Sequence, residues 1–173
     1  DKPFKHPRDW GTLTALLNED YQCLTHGQFQ RPDLAADFLL DRLDNAHVSV
    51  GGHARFSRLG NDVRRALIAA LHEDCRKLLD DQTWRNVESV NGRTVVIEFA
   101  RGGPAGSAMP LDDFYGYRYS LSELCPAILE KAAILYVWVT PEESRRKNEA
   151  RTDPDSPGSI LHHGVPIDVM MND

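Results

Sequence analysis

Apolar residues follow two different rhythms along this chain. In the first eighty positions they recur every three or four residues, the spacing of one helical face. Leu13, Leu16, Leu17, Tyr21 and Leu24 predict a helix over residues 12–24, with Thr12 as its N-cap. Leu34, Phe38, Leu39 and Leu43 predict a second, with Pro32 in its first turn. From about Asn61 to Asp80, Val63, Ala66, Leu67, Ala70, Leu71, Cys75, Leu78 and Leu79 form one stripe. Arg64, Arg65, Glu73, Asp74, Arg76 and Lys77 lie mostly off it, which predicts a long amphipathic helix. Between the second and third helices, residues 47–60 show no period.

The rhythm then changes. Residues 94–99 (TVVIEF) and 134–139 (ILYVWV) are short β-branched and aromatic runs, the second without any charge. Such runs predict strands apolar on both faces, as in a sheet covered by helices on each side. Between them Ser122, Glu123 and Leu124 open a predicted crossover helix packed by Ile128, Leu129 and Ala132, with Pro126 in its first turns. Strand, helix and strand make a right-handed βαβ unit. The competing reading pairs residues 87–90 with 93–95 across a tight Asn91-Gly92 turn. Thr140-Pro141-Glu142-Glu143 supplies an N-cap, a first-turn proline and a capping-box glutamate, predicting a helix of roughly ten residues. That helix carries Arg145, Arg146, Lys147 and Arg151 and breaks in the Pro/Gly loop of residues 152–158. The expectation is one α/β domain, three-layered with a mainly parallel sheet. It has a helix-rich first part (about residues 1–82) and a βαβ-lid part (about residues 83–173).

Composition narrows the functional classes. The 173 residues are 41% hydrophobic and 27% charged, near ordinary globular values. Lys and Arg number 20 against 26 Asp and Glu, a net charge of −6, which argues against a nucleic-acid coat or a polybasic membrane surface. No run is long and apolar enough to span a membrane. Cys23, Cys75 and Cys125 are sparse and odd in number, which fits reduced thiols in a cytoplasmic protein.

Two constellations could carry chemistry. Glu98 closes the first predicted strand, where open α/β sheets place their ligands, and Arg101 and Gly102-Gly103 follow it. Arg145, Arg146 and Arg151 follow the end of the second, and arginine forks match phosphate oxygens. Read alone, each has a bland alternative: a solvated strand end, and a helix face balanced by Glu142, Glu143 and Glu149. The aromatic segment Phe114, Tyr115, Tyr117, Arg118 and Tyr119 offers rings for stacking and a guanidinium for an acidic group. The histidines read as structural or surface groups. His162-His163 point to opposite sides of an extended chain, and only His72 and Cys75 of the third helix share a face.

The sequence "TVVIEFARGG", then a helix, then "ILYVWVTPEESRRKNEAR" and a Pro/Gly loop resembles the second half of a P-loop kinase of the nucleoside-monophosphate-kinase type. The resemblance covers roughly residues 93–160. It implies that Glu98 stands for the acid acting through Mg2+ and water, that Arg101 grips the acceptor phosphate, and that Arg145, Arg146 and Arg151 belong to a lid. Tyr115, Tyr117 and Arg118 would then border the acceptor pocket. The implied function is phosphoryl transfer from ATP to a small acceptor, a nucleoside, nucleotide or related metabolite. The glycine-rich loop ending in Gly-Lys-Ser/Thr is not in this sequence, and the acid is Glu where the family usually has Asp. The chain opens on Asp1 rather than Met, so the expectation is that the missing strand and loop lie upstream. The alternatives are a nucleotide hydrolase sharing the site, or a non-catalytic binding or regulatory module whose helical first third, roughly residues 12–80, meets the partner.

Overall fold

The computed structural model describes residues 6–27, 32–81, 90–98, 102–104 and 106–151. The chain divides into two compact units. The first comprises Asp1–Arg101 and Asp112–Lys131, the second Gly102–Leu111 and Ala132–Asp173.

The first unit is helical. A 3-10 turn, Pro7–Trp10, leads directly into α1, Gly11–His26. His6 and Asp9 cap the turn reciprocally. His6 Nδ1 accepts the Arg8 N–H (3.2 Å), and the Asp9 carboxylate accepts the His6 N–H (3.2 Å). Thr12, expected as an N-cap, is instead the second residue of α1, its hydroxyl turned to another helix. α1 ends at Gly27, whose positive φ of 64° lets its N–H return to the Cys23 carbonyl. α2, Ala35–Ser49, starts three residues after Pro32. α3, Asn61–Asp81, matches the expected long helix.

Charge fastens α2 on both sides. Its Arg42 donates to Glu19 (3.0 Å) and Asp20 (2.7 Å) of α1, and also lies 5.7 Å from the centre of the Phe38 ring. Burial works against this guanidinium's charge, but the Asp20 and Glu19 carboxylates outweigh it and raise its pKa. Towards α3, Asp37 (2.5 Å) and Asp41 (2.7 Å) receive Arg64. Among the described residues the buried apolar side chains are few: Ala35, Ala36, Leu40, Ala46, Leu79, Leu124 and Ile128.

Two short helices close the unit: α4, Gly116–Ser122, and α5, Pro126–Leu129. Pro126 occupies the first turn of α5, as its missing N–H requires. Asn18 of α1 spans the joint between them: its amide donates to the Glu123 carbonyl (2.7 Å) and accepts from the Cys125 N–H (2.9 Å). Tyr119 of α4 donates its hydroxyl to the Arg8 carbonyl (2.9 Å). In the second unit, α6 spans Pro141–Arg151, and the Thr140 hydroxyl accepts the Glu143 N–H (3.2 Å) as the capping pattern foretold.

The expected parallel sheet is corrected: the described residues contain no strand. Residues 94–98 and 132–140 carry neither helix nor ladder. From Ile134 to Trp138 the charge-free run is exposed, from 62% at Tyr136 to 87% at Leu135, where an interior strand would be buried. The α/β three-layer frame and the P-loop-type scaffold built on it are therefore overturned. β-branched composition favours an extended backbone, but a strand exists through partners that are distant in sequence. Residue 99 and residues 87–89 of the competing hairpin lie outside the described residues.

A Cβ at Gly11 would stand 2.5 Å from the Tyr119 hydroxyl and 3.0 Å from Val50 Cγ1. Gly11→Ala is expected to displace Tyr119 and cost about 1–2 kcal/mol. Tyr119→Phe alone is expected to cost about 1 kcal/mol. Urea unfolding of both variants and of the double variant checks this; a double-variant loss near the Gly11→Ala value is the expected sign of one shared contact.

Candidate functional site

The residues nominated from sequence fall in both units. Glu98 is exposed in a segment of the first unit that belongs to no helix, and Arg101 lies outside the described residues. Arg145, Arg146 and Arg151 all belong to α6, in the second unit. Arg145 faces Glu142 (3.6 Å) and Arg146 pairs with Glu143 (2.7 Å), while Lys147 stands 3.9 Å from the same Glu143 carboxylate. These three ion pairs lie within α6, each about one turn long. Arg146 holds the Glu143 carboxyl below its ordinary value. Tyr115 precedes α4, Tyr117 is half-buried within it, and Arg118 is exposed beside it. No group of three or more His, Cys, Asp or Glu side chains among the described residues is placed to hold a metal ion.

A different polar cluster occupies the interior of the first unit, where the Pro7–Trp10 turn meets α1, α2 and the loop after α2. Asp9, Thr12, Asp44 and His47 are all buried there. The Thr12 hydroxyl shares a hydrogen bond with His47 Nδ1 (3.0 Å), and His47 Nε2 faces the Asp9 carboxylate at 4.0 Å. This geometry suits the tautomer with its proton on Nε2, so that Nδ1 accepts from Thr12. Arg8 (3.7 Å) and Arg55 (3.8 Å) approach the same carboxylate, so the buried negative charge is compensated. Gly52 is required beside His47, because a Cβ there would overlap the imidazole.

Asp44 does a separate task. Its Oδ1 accepts the Arg55 (2.8 Å) and Phe56 (3.1 Å) N–H groups, and its Oδ2 accepts that of Ser57 (2.7 Å). Burial disfavours the ionised carboxylate, but the backbone donors of Arg55, Ser57 and Phe56 outweigh it and hold the group below its ordinary value of 3.8.

Hydroxyl, imidazole and carboxylate in sequence have the order of a nucleophilic triad, but the environment is wrong for one. Thr12 is 0% exposed, so no substrate atom reaches its hydroxyl. The cluster is an architectural junction. Sequence reasoning placed His47 in an unassigned loop and passed over Asp9 and Asp44. The available signal was in α2 itself: Ala36 and Leu40 define its buried stripe, and Asp44 and His47 continue that stripe at helical spacing. Polar residues on a buried stripe announce an interior network.

Comparison of the chain with protein-family models, with curated proteins and with solved structures finds no match.

Asp44→Asn is expected to cost about 2–3 kcal/mol, because a charged acceptor of three N–H groups is lost. The sign with pH follows from the lowered pKa. The stabilisation from Asp44 is complete above about pH 4 and fades as pH falls through the lowered value. Denaturant midpoints between neutral pH and about pH 2 check this: the Asn variant should be less stable at neutral pH, and its deficit should shrink in acid.

Proposed function

We propose that the chain is a binding module without chemistry of its own, and that α3 is the element it offers to a partner. The observation that carries this reading is a second apolar face on α3. Leu67, Leu71, Cys75 and Leu79 lie on the side that includes Arg64, the residue tied to α2, and all are at least partly covered. Val63 lies off that side, 60% exposed, with Ala66 and Ala70 exposed beside it, whereas Leu78, 56% exposed, is on the covered side near the helix end. The single apolar stripe of the sequence thus divides in two, one half spent on α2 and the other turned to solvent.

The flank of that outer face is charge-balanced. Arg65 pairs with Asp62 (2.6 Å) and Arg76 with Glu73 (2.8 Å), each within α3. A partner would therefore be selected by apolar fit rather than by net charge. The fitting occupant is an amphipathic helix, whose side chains can lie along the shallow row made by Ala66 and Ala70. No described helix is long and apolar enough to cross a membrane.

The rival reading is ATP- and Mg2+-dependent phosphoryl transfer to a small acceptor. It rests on sequence pattern alone. One set of measurements on the full chain separates the two. A charge-balanced, leucine-striped amphipathic peptide should bind and protect α3 amides from hydrogen exchange. Val63→Asp/Ala70→Asp should weaken that binding at least tenfold with helix content unchanged. Equal binding by that variant, or ATP turnover that Glu98→Gln abolishes, would overturn the module reading.

A further inference from the structure

The Asn91-Gly92 pair raises a question separate from α3: what chemistry its turn permits. The Arg93 N–H donates to the Val90 carbonyl (3.0 Å), closing a turn with Asn91 and Gly92 at its centre. Gly92 has a positive φ of 71° and Asn91 does not share that sign, as in a type II turn. Both residues are exposed, and a Cβ added at Gly92 would meet nothing within 4 Å. Space is therefore open on the side from which the Gly92 nitrogen and the Asn91 side chain can meet.

We propose that Asn91 is a site of covalent self-modification, its side-chain amide cyclising onto the Gly92 nitrogen and ending as aspartate and isoaspartate. Hydroxide takes the Gly92 N–H proton, and the nitrogen attacks Cγ of Asn91. The new N–Cγ bond forms as the bond from Cγ to the side-chain nitrogen breaks. That nitrogen takes a proton from water and leaves as ammonia, which regenerates the hydroxide. Water then opens the five-membered imide at either of its two carbonyls. One opening gives an ordinary peptide bond with an aspartate side chain, and the other gives a main chain that runs through Cβ and Cγ. Nothing is oxidised or reduced, and water is the one co-reactant.

The residue that follows decides which asparagine can react. Asn91 is the one asparagine of the sequence followed by glycine; any other residue sets a Cβ beside the attacking nitrogen. Asn18, Asn45 and Asn148 lie within α1, α2 and α6, where the next N–H belongs to the helical ladder. Asn61 opens α3 and is followed by Asp62. The product changes both charge and backbone. A carboxylate replaces a neutral amide two residues before Arg93, making the net charge one unit more negative than −6. The isoaspartyl form also adds a methylene to the main chain between Val90 and Arg93, which moves the donor and acceptor of the turn apart.

Incubation of the full chain in oxygen-18 water at neutral and mildly alkaline pH, followed by peptide mapping, tests the proposal. Aspartate and isoaspartate are both expected at position 91, each carrying one oxygen from the solvent. Their formation should be roughly tenfold or more faster than any change at Asn18, Asn45, Asn61 or Asn148. It should also quicken as pH rises, because the attacking nitrogen must first lose its proton. Asn91→Gln, which would need a six-membered ring, should slow the reaction roughly tenfold or more with helical circular dichroism unchanged. Aspartate without isoaspartate means direct hydrolysis and overturns the proposal. So does an Asn91 that outlasts the helical asparagines, or a rate of conversion that does not change with pH.

Discussion

The first unit depends on a central helix held by charges of opposite sign on its two sides. α2 gives a guanidinium to α1 and receives one from α3. Exposed ion pairs add little stability, but these are partly withdrawn from solvent: the Arg42 and Arg64 side chains are 11% and 18% exposed. Among the described residues three of the seven buried apolar side chains are alanines, so apolar packing alone defines the helix positions weakly. Directional contacts supply what shape does not. Arg42, through Nε and Nη2 to Glu19 and Asp20, and Arg64, through Nη2 to both Asp37 and Asp41, fix the rotation of α2 and its height against each neighbour.

The same logic runs inward. Asp44 and His47 continue the buried stripe of α2 and link it to the chain on either side of it in sequence. His47 reaches back to the turn before α1, and Asp44 reaches forward to the loop before α3. Arg55, whose N–H Asp44 holds, extends its guanidinium towards Asp9, so the two links share a residue. With α2 fixed in this way, α3 can be anchored along one side and leave its other apolar side uncovered. A rigid body carrying an exposed stripe is the arrangement that lets apolar contact with a partner proceed without loss of internal order.

How much of this was legible in the sequence differs by element. α3 and α6 were readable because their signals are local: a long period of apolar residues in one, and Thr140, Pro141 and Glu143 in the other. The crossover helix expected to open at Ser122 was misplaced: Ser122 ends α4, and Pro126 itself opens the short α5. The sheet was not readable, because Val95, Val96 and Ile97 report what a backbone tolerates, while pairing is decided by residues elsewhere. The nominated chemistry depended on that sheet to bring Glu98 and the α6 arginines to one edge, and lost its frame with it. The interior junction was hidden for another reason. Asp9, Thr12 and His47 are widely separated in sequence, and no spacing rule links them. What could be seen was a polar interruption of an apolar stripe, a weak sign that gains meaning once the surrounding chain is placed.

The way Asp44 holds the loop after α2 has a consequence for how this segment can vary. Its oxygens grip peptide N–H groups at three consecutive positions, Arg55, Phe56 and Ser57, and every amino acid except proline offers that group. For this contact the identity of those side chains is nearly free, whereas the number of residues between the carboxylate and its donors is not. One residue inserted or deleted there would shift the whole row out of reach, so this stretch should drift readily in composition while its length stays constant.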